Sequence, residues 1–275
     1  MALSKGTQDY LKSLIDPFNT GISNLKLRDG KTQRSAGVRF RSTGEIKCDH
    51  AETTVIVLFP GHSNGLCWRT NATFGTNTGT AGIYTNSLFN NHVNTTTDRT
   101  NIKQLRIVSS GLKLNLVNNE EQNDGYWEAA RIPIDPVEFT CDATTGRCIP
   151  TFLTGAGFDI DLSNHTTYQS GHNKDLHKYL FKNNYHTVDH PFSYVTASTP
   201  EIMIDQAFDM VVIKIRGRSD SVNQTKLMFE LVSNQEIVYN ENTALARLMS
   251  PSPAMQNHET FFQNTNFALP SVLVA

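Results

Sequence analysis

What this chain lacks already excludes several kinds of protein. No apolar run approaches the roughly 18 residues of a membrane-crossing helix, so no helical span is expected. The opening MALSKGTQDY has no apolar core of a leader peptide, so secretion is not expected. Cysteine is scarce: four residues, at 48, 67, 141 and 148, without a CxxC pair. That spacing argues against a structural zinc site, and without a leader free thiols are the default. Cys141 and Cys148 bracket the turn-like DATTGR, which leaves a hairpin disulfide open. HExxH and GxxxxGK(S/T) are absent. Ser, His and Asp abound, yet nothing selects a triad, so no catalytic residue is assigned. No period of 20–50 residues recurs, which excludes propellers and solenoids.

What is present is a period of two. Asn and Thr are abundant, and Ala, Glu, Lys and Leu do not dominate as they would in a helical protein. From Val38, the residues Val38, Phe40, Ile46 and Cys48 share one face, and Arg39, Arg41, Thr43, Glu45 and Lys47 the other. TTVIVLF (53–59) is apolar throughout, so both of its faces are expected to be buried, with Pro60-Gly61 as the stop. Short strands are expected at 66–69, 82–88, 192–196 and 202–204. Stronger ones are expected at 208–216 and 226–232, with Ile237-Val238-Tyr239 extending the last. An amphipathic helix is expected over 4–15, capped by Ser4 and stopped at Asp16-Pro17. Short helical turns are expected at 174–181, capped by Asn173, and at 242–249.

Arg106 to Ile132 reads as two strands joined by the polar loop Asn118–Gly125, a central hairpin. Its apolar phase shifts between Leu105/Ile107 and Leu112/Leu114/Leu116. A bulge or kink at Gly111 would absorb that slip. These elements predict an all-β fold: an eight-stranded antiparallel jelly-roll sandwich with long loops and a few short helices. The expected division is 1–35 as helix and basic connector, 36–250 as the jelly-roll domain, and 251–275 as an apolar tail.

Charge is uneven along the chain. Residues 1–47 hold nine Lys and Arg against four acids, a net +5, and the remainder is −7, for −2 overall. A basic face towards polyanions is one reading of this asymmetry, and a solvated strand edge is the other. Glu120, Glu121, Asp124 and Glu128 form an acidic group. Its readings are a solvated loop tip, an acid–base pair, or a cation site at a subunit contact. Asp159 and Asp161 in FDIDLS are a second cation candidate. Five of nine histidines lie between 165 and 190, but His172 and His177 are five apart and share no helical face. They read as surface histidines, or as a pH-sensitive contact.

RIVSSGLKLNLVNNEEQNDGYWEAARI (106–132) resembles the central segment of nodavirus-like single jelly-roll viral capsid proteins, closest to those of bacilladnaviruses, single-stranded DNA viruses of diatoms. YLKSLIDPF (10–18), FDMVVIKIRG (208–217) and ELVSNQEIVYNENTALARLMSPSP (230–253) look like further segments of the same family. The resemblance implies a coat protein that self-assembles in many copies into an icosahedral shell around nucleic acid, residing in the virion and crossing no membrane. It also implies that the segment ahead of the first strand faces the interior. That would make Lys12, Lys26, Arg28, Lys31 and Arg34 non-specific phosphate contacts. No cofactor is implied beyond a possible divalent cation between subunits. Asn266-Phe267-Ala268 lacks the Asn-Ala junction of nodaviral maturation, so no self-cleavage is expected. The alternative is a jelly-roll module that binds glycans through its loops.

Overall fold

The structure is a computed structural model. It describes residues 5–21, 25–27, 33–48, 53–61, 65–70, 80–84, 101–118, 125–134, 138–141, 148–154, 160–183, 192–194, 208–217, 225–251 and 273–274. After helix α1 (Lys5–Ile15), eight strands make the framework: β1 (Arg34–Cys48), β2 (Thr53–Leu58), β3 (Ile102–Leu116), β4 (Tyr126–Pro133), β5 (Gln169–His172), β6 (Leu180–Lys182), β7 (Asp209–Arg216) and β8 (Thr225–Tyr239). One sheet runs β1-β8-β3-β6 and the other β2-β7-β4-β5, with antiparallel neighbours throughout. This is the jelly-roll order. The strand number differs from the expected eight. Ser250–Pro251, Ser193–Tyr194 and Leu273–Val274 bring the first sheet to seven, and Leu66–Thr70 with Thr80–Tyr84 bring the second to six. Phe139–Cys141 and Cys148–Pro150 form a separate two-stranded sheet, in which Cys141 is the register partner of Cys148.

Period-2 alternation decides what fills the sandwich. Ile46, Leu112, Leu114, Leu227 and Phe229 from the first sheet meet Ile56, Leu58, Trp127, Ala129, Val211, Ile213 and Ile215 from the second. Burying each large apolar side chain stabilises by about 1.5–3 kcal/mol. Trp127 is edge-on to Tyr179 and Phe181, at 4.8 and 5.8 Å between ring centroids. The TTVIVLF run is buried on both faces, as its composition predicts. Ile56 and Leu58 point into the sandwich, while Val55, Val57 and Phe59 pack outward with Leu153, Leu162, Met210 and Val212. The excursion between β4 and β5 therefore covers the outside of the second sheet.

The expected central hairpin is not one. β3 pairs with β8 and β6, whereas β4 pairs with β7 and β5, so the polar loop carries the chain from one sheet to the other. Sheets in a sandwich lie about 10 Å apart, a gap that eight polar residues span as readily as they close a hairpin. The phase slip is present but sits elsewhere. Asn234 pairs with Ser109 and Gln235 with Ile107, which makes Val108 the extra residue. The bulge turns Val108 onto the helix side, where it packs with Tyr10, Leu11, Leu14 and Leu27. Gly111 stays in register opposite Val232. Its missing side chain makes room for the N-terminal segment: a Cβ there would lie 3.1 Å from Pro17 and 3.2 Å from Phe18.

Two shorter elements also differ from expectation. The helical turn after β5 is 3₁₀, covers Asn173–Lys178, and leaves Leu180 and Phe181 to β6. Asn173 does not cap it; its amide donates to the Arg216 carbonyl at 3.0 Å. Residues 202–204 and most of the tail lie outside the described residues. Leu273–Val274 adds a strand beside β6.

Candidate nucleic-acid and subunit interface

The first sheet's outer face is polar where the second sheet's is apolar. Register places its rows. Arg39 aligns with Asn234 and Ser109, Arg41 with Val232 and Gly111, Thr43 with Glu230 and Lys113, Glu45 with Met228 and Asn115, and Lys47 with Lys226. About half of this face is covered by the chain's own N-terminal segment.

That segment is held by its backbone carbonyls. The Lys182 ammonium donates to the Ile15 carbonyl at 3.0 Å, the Asn234 amide to Pro17 at 3.1 Å, and the Arg39 guanidinium to Asn19 at 2.6 Å. Lys113 sits over the Phe18 ring, 4.5 Å from its centroid. Desolvation pushes the Lys182 amine down to about 8, with the nearby Arg131 cation adding to the shift and Asp16 opposing it. Further on, residues 25–27 lie over Glu236. This fully buried carboxylate accepts from Arg106 Nη2 at 2.7 Å and Nε at 2.9 Å, from the Leu27 backbone N–H at 3.2 Å, and from the Ser35 hydroxyl.

The expected phosphate contacts do not form one cluster. Lys12 is exposed on α1, and Arg34 is exposed at the start of β1, where its Nη2 donates to the Met249 carbonyl at 2.8 Å. Lys26 is only 3% exposed. Its ammonium donates to the Ser35 carbonyl and to the Ser250 carbonyl and hydroxyl, at 2.6 and 2.8 Å for the latter two. It ties the connector to the ends of the fold and presents no charge to a ligand. Arg28 and Lys31 lie outside the described residues. The cations this face does present are Arg41, Lys47, Lys113 and Lys226. The strand pattern places the first two outward, but only the register brings Lys113 and Lys226 beside them. Arg34 also lines a cleft of about 990 Å³ with Lys103, Arg247, Glu241 and Tyr239.

The acidic candidates do not converge either. Glu120, Glu121, Asp124 and Asp159 lie outside the described residues. Glu128 accepts from the Tyr168 hydroxyl at 3.1 Å and faces the Lys214 ammonium at 3.8 Å. Asp161 is exposed and builds a turn, accepting from the Ser163 N–H at 3.0 Å and hydroxyl at 2.7 Å and from the Asn164 amide at 3.1 Å. Those Ser163 hydrogen bonds hold its carboxyl below the usual range. Among the described residues, no three His, Cys, Asp or Glu side chains come together as a metal site. His172 and His177 are exposed and His165 is half-buried.

Comparison with known proteins covers nearly the whole chain. The sequence profile of the Shotokuvirus capsid protein family matches residues 5–200 and 192–268. A capsid protein of Chaetoceros diatodnavirus 1 is 29% identical over an alignment of 295 positions, spanning 82% of this chain and 72% of its own. A capsid protein of Avon-Heathcote Estuary associated kieseladnavirus is 24% identical over 304 positions, spanning 89% and 82%. Among solved structures, a chain of the T13 IBDV viral particle matches with a TM-score of 0.51 at 10% identity, over 98% of this chain and 94% of that one. At that identity the likeness concerns the fold.

Proposed function

The chain belongs to the Shotokuvirus capsid protein family, and from that premise we propose that it is the coat subunit of a virion, assembling in many copies into a closed icosahedral shell around nucleic acid. It is a structural protein and not an enzyme. The observation that carries this reading is the family match along almost the full chain, on a fold whose eight framework strands run in jelly-roll order. The relatives from diatom DNA viruses agree with the resemblance read from residues 106–132. Neither the relatives nor the described residues favour the glycan-binding alternative.

In this reading residues 36–250 are the shell domain, 1–35 the interior-facing segment and 251–275 a tail. Nucleic acid is held without sequence recognition, by cations on the side of the subunit that carries the N-terminal segment. Lys12 and Arg34, both exposed, support that role, as does the net +5 of residues 1–47. Large permanent interfaces repeated around the shell supply the driving force.

Negative-stain microscopy of the purified protein tests the assembly, and its absorbance ratio before and after nuclease tests the contents. Uniform spherical particles holding nuclease-protected nucleic acid are expected. Only small species, or empty shells from every preparation, would contradict one half of the reading or the other.

A further inference from the structure

Register sets Lys47 directly opposite Lys226 at the end of the β1–β8 ladder. Like charges so placed destabilise a sheet. Among the described residues the acid beside this pair is Glu45, 4.0 Å from Lys47 and itself half exposed. Two rows away Lys113 lies opposite Glu230, with Arg41 one row further on. Arg41 takes that carboxylate at 2.6 Å. These rows thus carry four cations, three of them exposed and Lys113 half-buried against Phe18, against two acids. All four cations belong to the sheet side on which the basic N-terminal segment lies.

The face does not suit a protein partner's core. Its large exposed apolar groups are Met228 and, at the strand end, Val117, whereas the centre of a protein interface is depleted in charge and enriched in aromatic residues. Among the described residues no segment covers Lys47 and Lys226, and the N-terminal segment reaches only the Lys113 and Gly111 edge of these rows, through Phe18, in contrast to the second sheet, whose outside is closed by the β4–β5 excursion. A phosphate chain fits instead. It neutralises the Lys47–Lys226 repulsion and asks for no apolar contact.

We propose that the outer face of β1, β8 and β3, centred on Lys47 and Lys226 with Arg41 and Lys113 beside them, is a contact surface for the backbone of single-stranded nucleic acid. This inference rests on the coat-protein reading and names where in the subunit the nucleic acid lies. It extends that surface well beyond the segment ahead of β1.

Binding of a fluorescent 30-nucleotide oligo-dT by the full chain, titrated against salt, tests it. The triple variant K47Q/K113Q/K226Q should bind more weakly, with the slope of log K against log salt shallower by about 2, roughly 0.7 per lost phosphate contact on a single strand. K226E should also bind more weakly than the wild type and yet melt at a higher temperature, since it converts the like-charge pair into an opposite one. A merely structural role for these lysines would not separate the two readouts in that way. K178Q removes an exposed lysine on the 3₁₀ turn and serves as control, leaving slope and affinity at the wild-type values. A triple variant with the wild-type slope, or a control that lowers it equally, overturns the proposal. Shell formation is scored separately on the same preparations, so failure of the coat-protein reading and failure of this surface give different results.

Discussion

Glu236 on β8 and Arg106 on β3 are joined by two charge-assisted hydrogen bonds, and both side chains are shut away from water, at 0% and 1% exposure. The Arg106 guanidinium also stacks over the Phe192 ring, 4.0 Å from its centroid. Removing one member would leave a buried charge without its partner. Glu236→Ala or Arg106→Met should therefore cost about 3–5 kcal/mol, read from urea unfolding of the subunit. Replacing both with apolar residues should recover most of that. A single variant that loses under 1 kcal/mol would show that the pair is not the clamp it forms here.

Phe229 lies over Gly44. A Cβ at position 44 would fall 2.5 Å from the ring, which is itself packed in the sandwich and against Trp68 at 5.9 Å. Gly44→Ala should cost about 1–3 kcal/mol by overpacking, and Phe229→Ala about 3–5 kcal/mol by leaving a cavity. Thermal melts of both variants check this, and an unchanged midpoint for Gly44→Ala would mean that the ring moves freely.

Lys182 predicts a specific pH dependence. Its amine is pushed down to about 8 from an ordinary 10.5, chiefly by burial. Between those values the unfolded chain holds a proton that the folded chain releases, so this lysine makes stability rise with pH across the window from about 8 to 10.5. Below pH 8 the ammonium is charged in both states and its burial is a standing cost. The wild type should gain stability on passing through this window, and Lys182→Met should lack that gain. Parallel slopes for the two proteins would refute the assignment.

Cys48 and Cys67 are buried and not joined in a disulfide, and desolvation drives the Cys67 thiol well above its ordinary range. Neither should react with a maleimide in the folded protein, and both should react in denaturant. Peptide mapping that finds Cys67 labelled under native conditions would contradict the packing described.

Lys26 separates a structural cation from a binding one. Lys26→Ala removes the ammonium from the buried Ser35 carbonyl and cuts the tie to Ser250, so it should lower stability by about 1–3 kcal/mol. Nucleic-acid binding per folded subunit should stay unchanged. A loss of binding with full stability would return Lys26 to the phosphate-contacting set.

Much of this was legible in the residues, and the parts that were not share a cause. Strand identity follows from local alternation, which is why TTVIVLF and FDMVVIKIR appear as strands in both readings. Pairing does not: the loop 118–125 looks the same whether it closes a hairpin or crosses between sheets. The slip around Ser109 was visible as a phase change, but its site depends on which β3 residue β8 skips, and that residue is Val108. Lys26 between Leu25 and Leu27 reads as a phosphate contact of the basic connector because its partner Ser250 is 224 positions away. Lys113 and Lys226 were invisible as a site for the same reason, since only β1–β8–β3 register aligns them with Arg41 and Lys47.

The central claim is that this chain builds a closed shell. Cryo-electron microscopy of the purified full chain tests it most directly. Uniform closed particles with icosahedral symmetry, resolved into copies of this jelly roll, are the predicted result. A chain that stays monomeric or forms only open, irregular aggregates across salt and pH would contradict it.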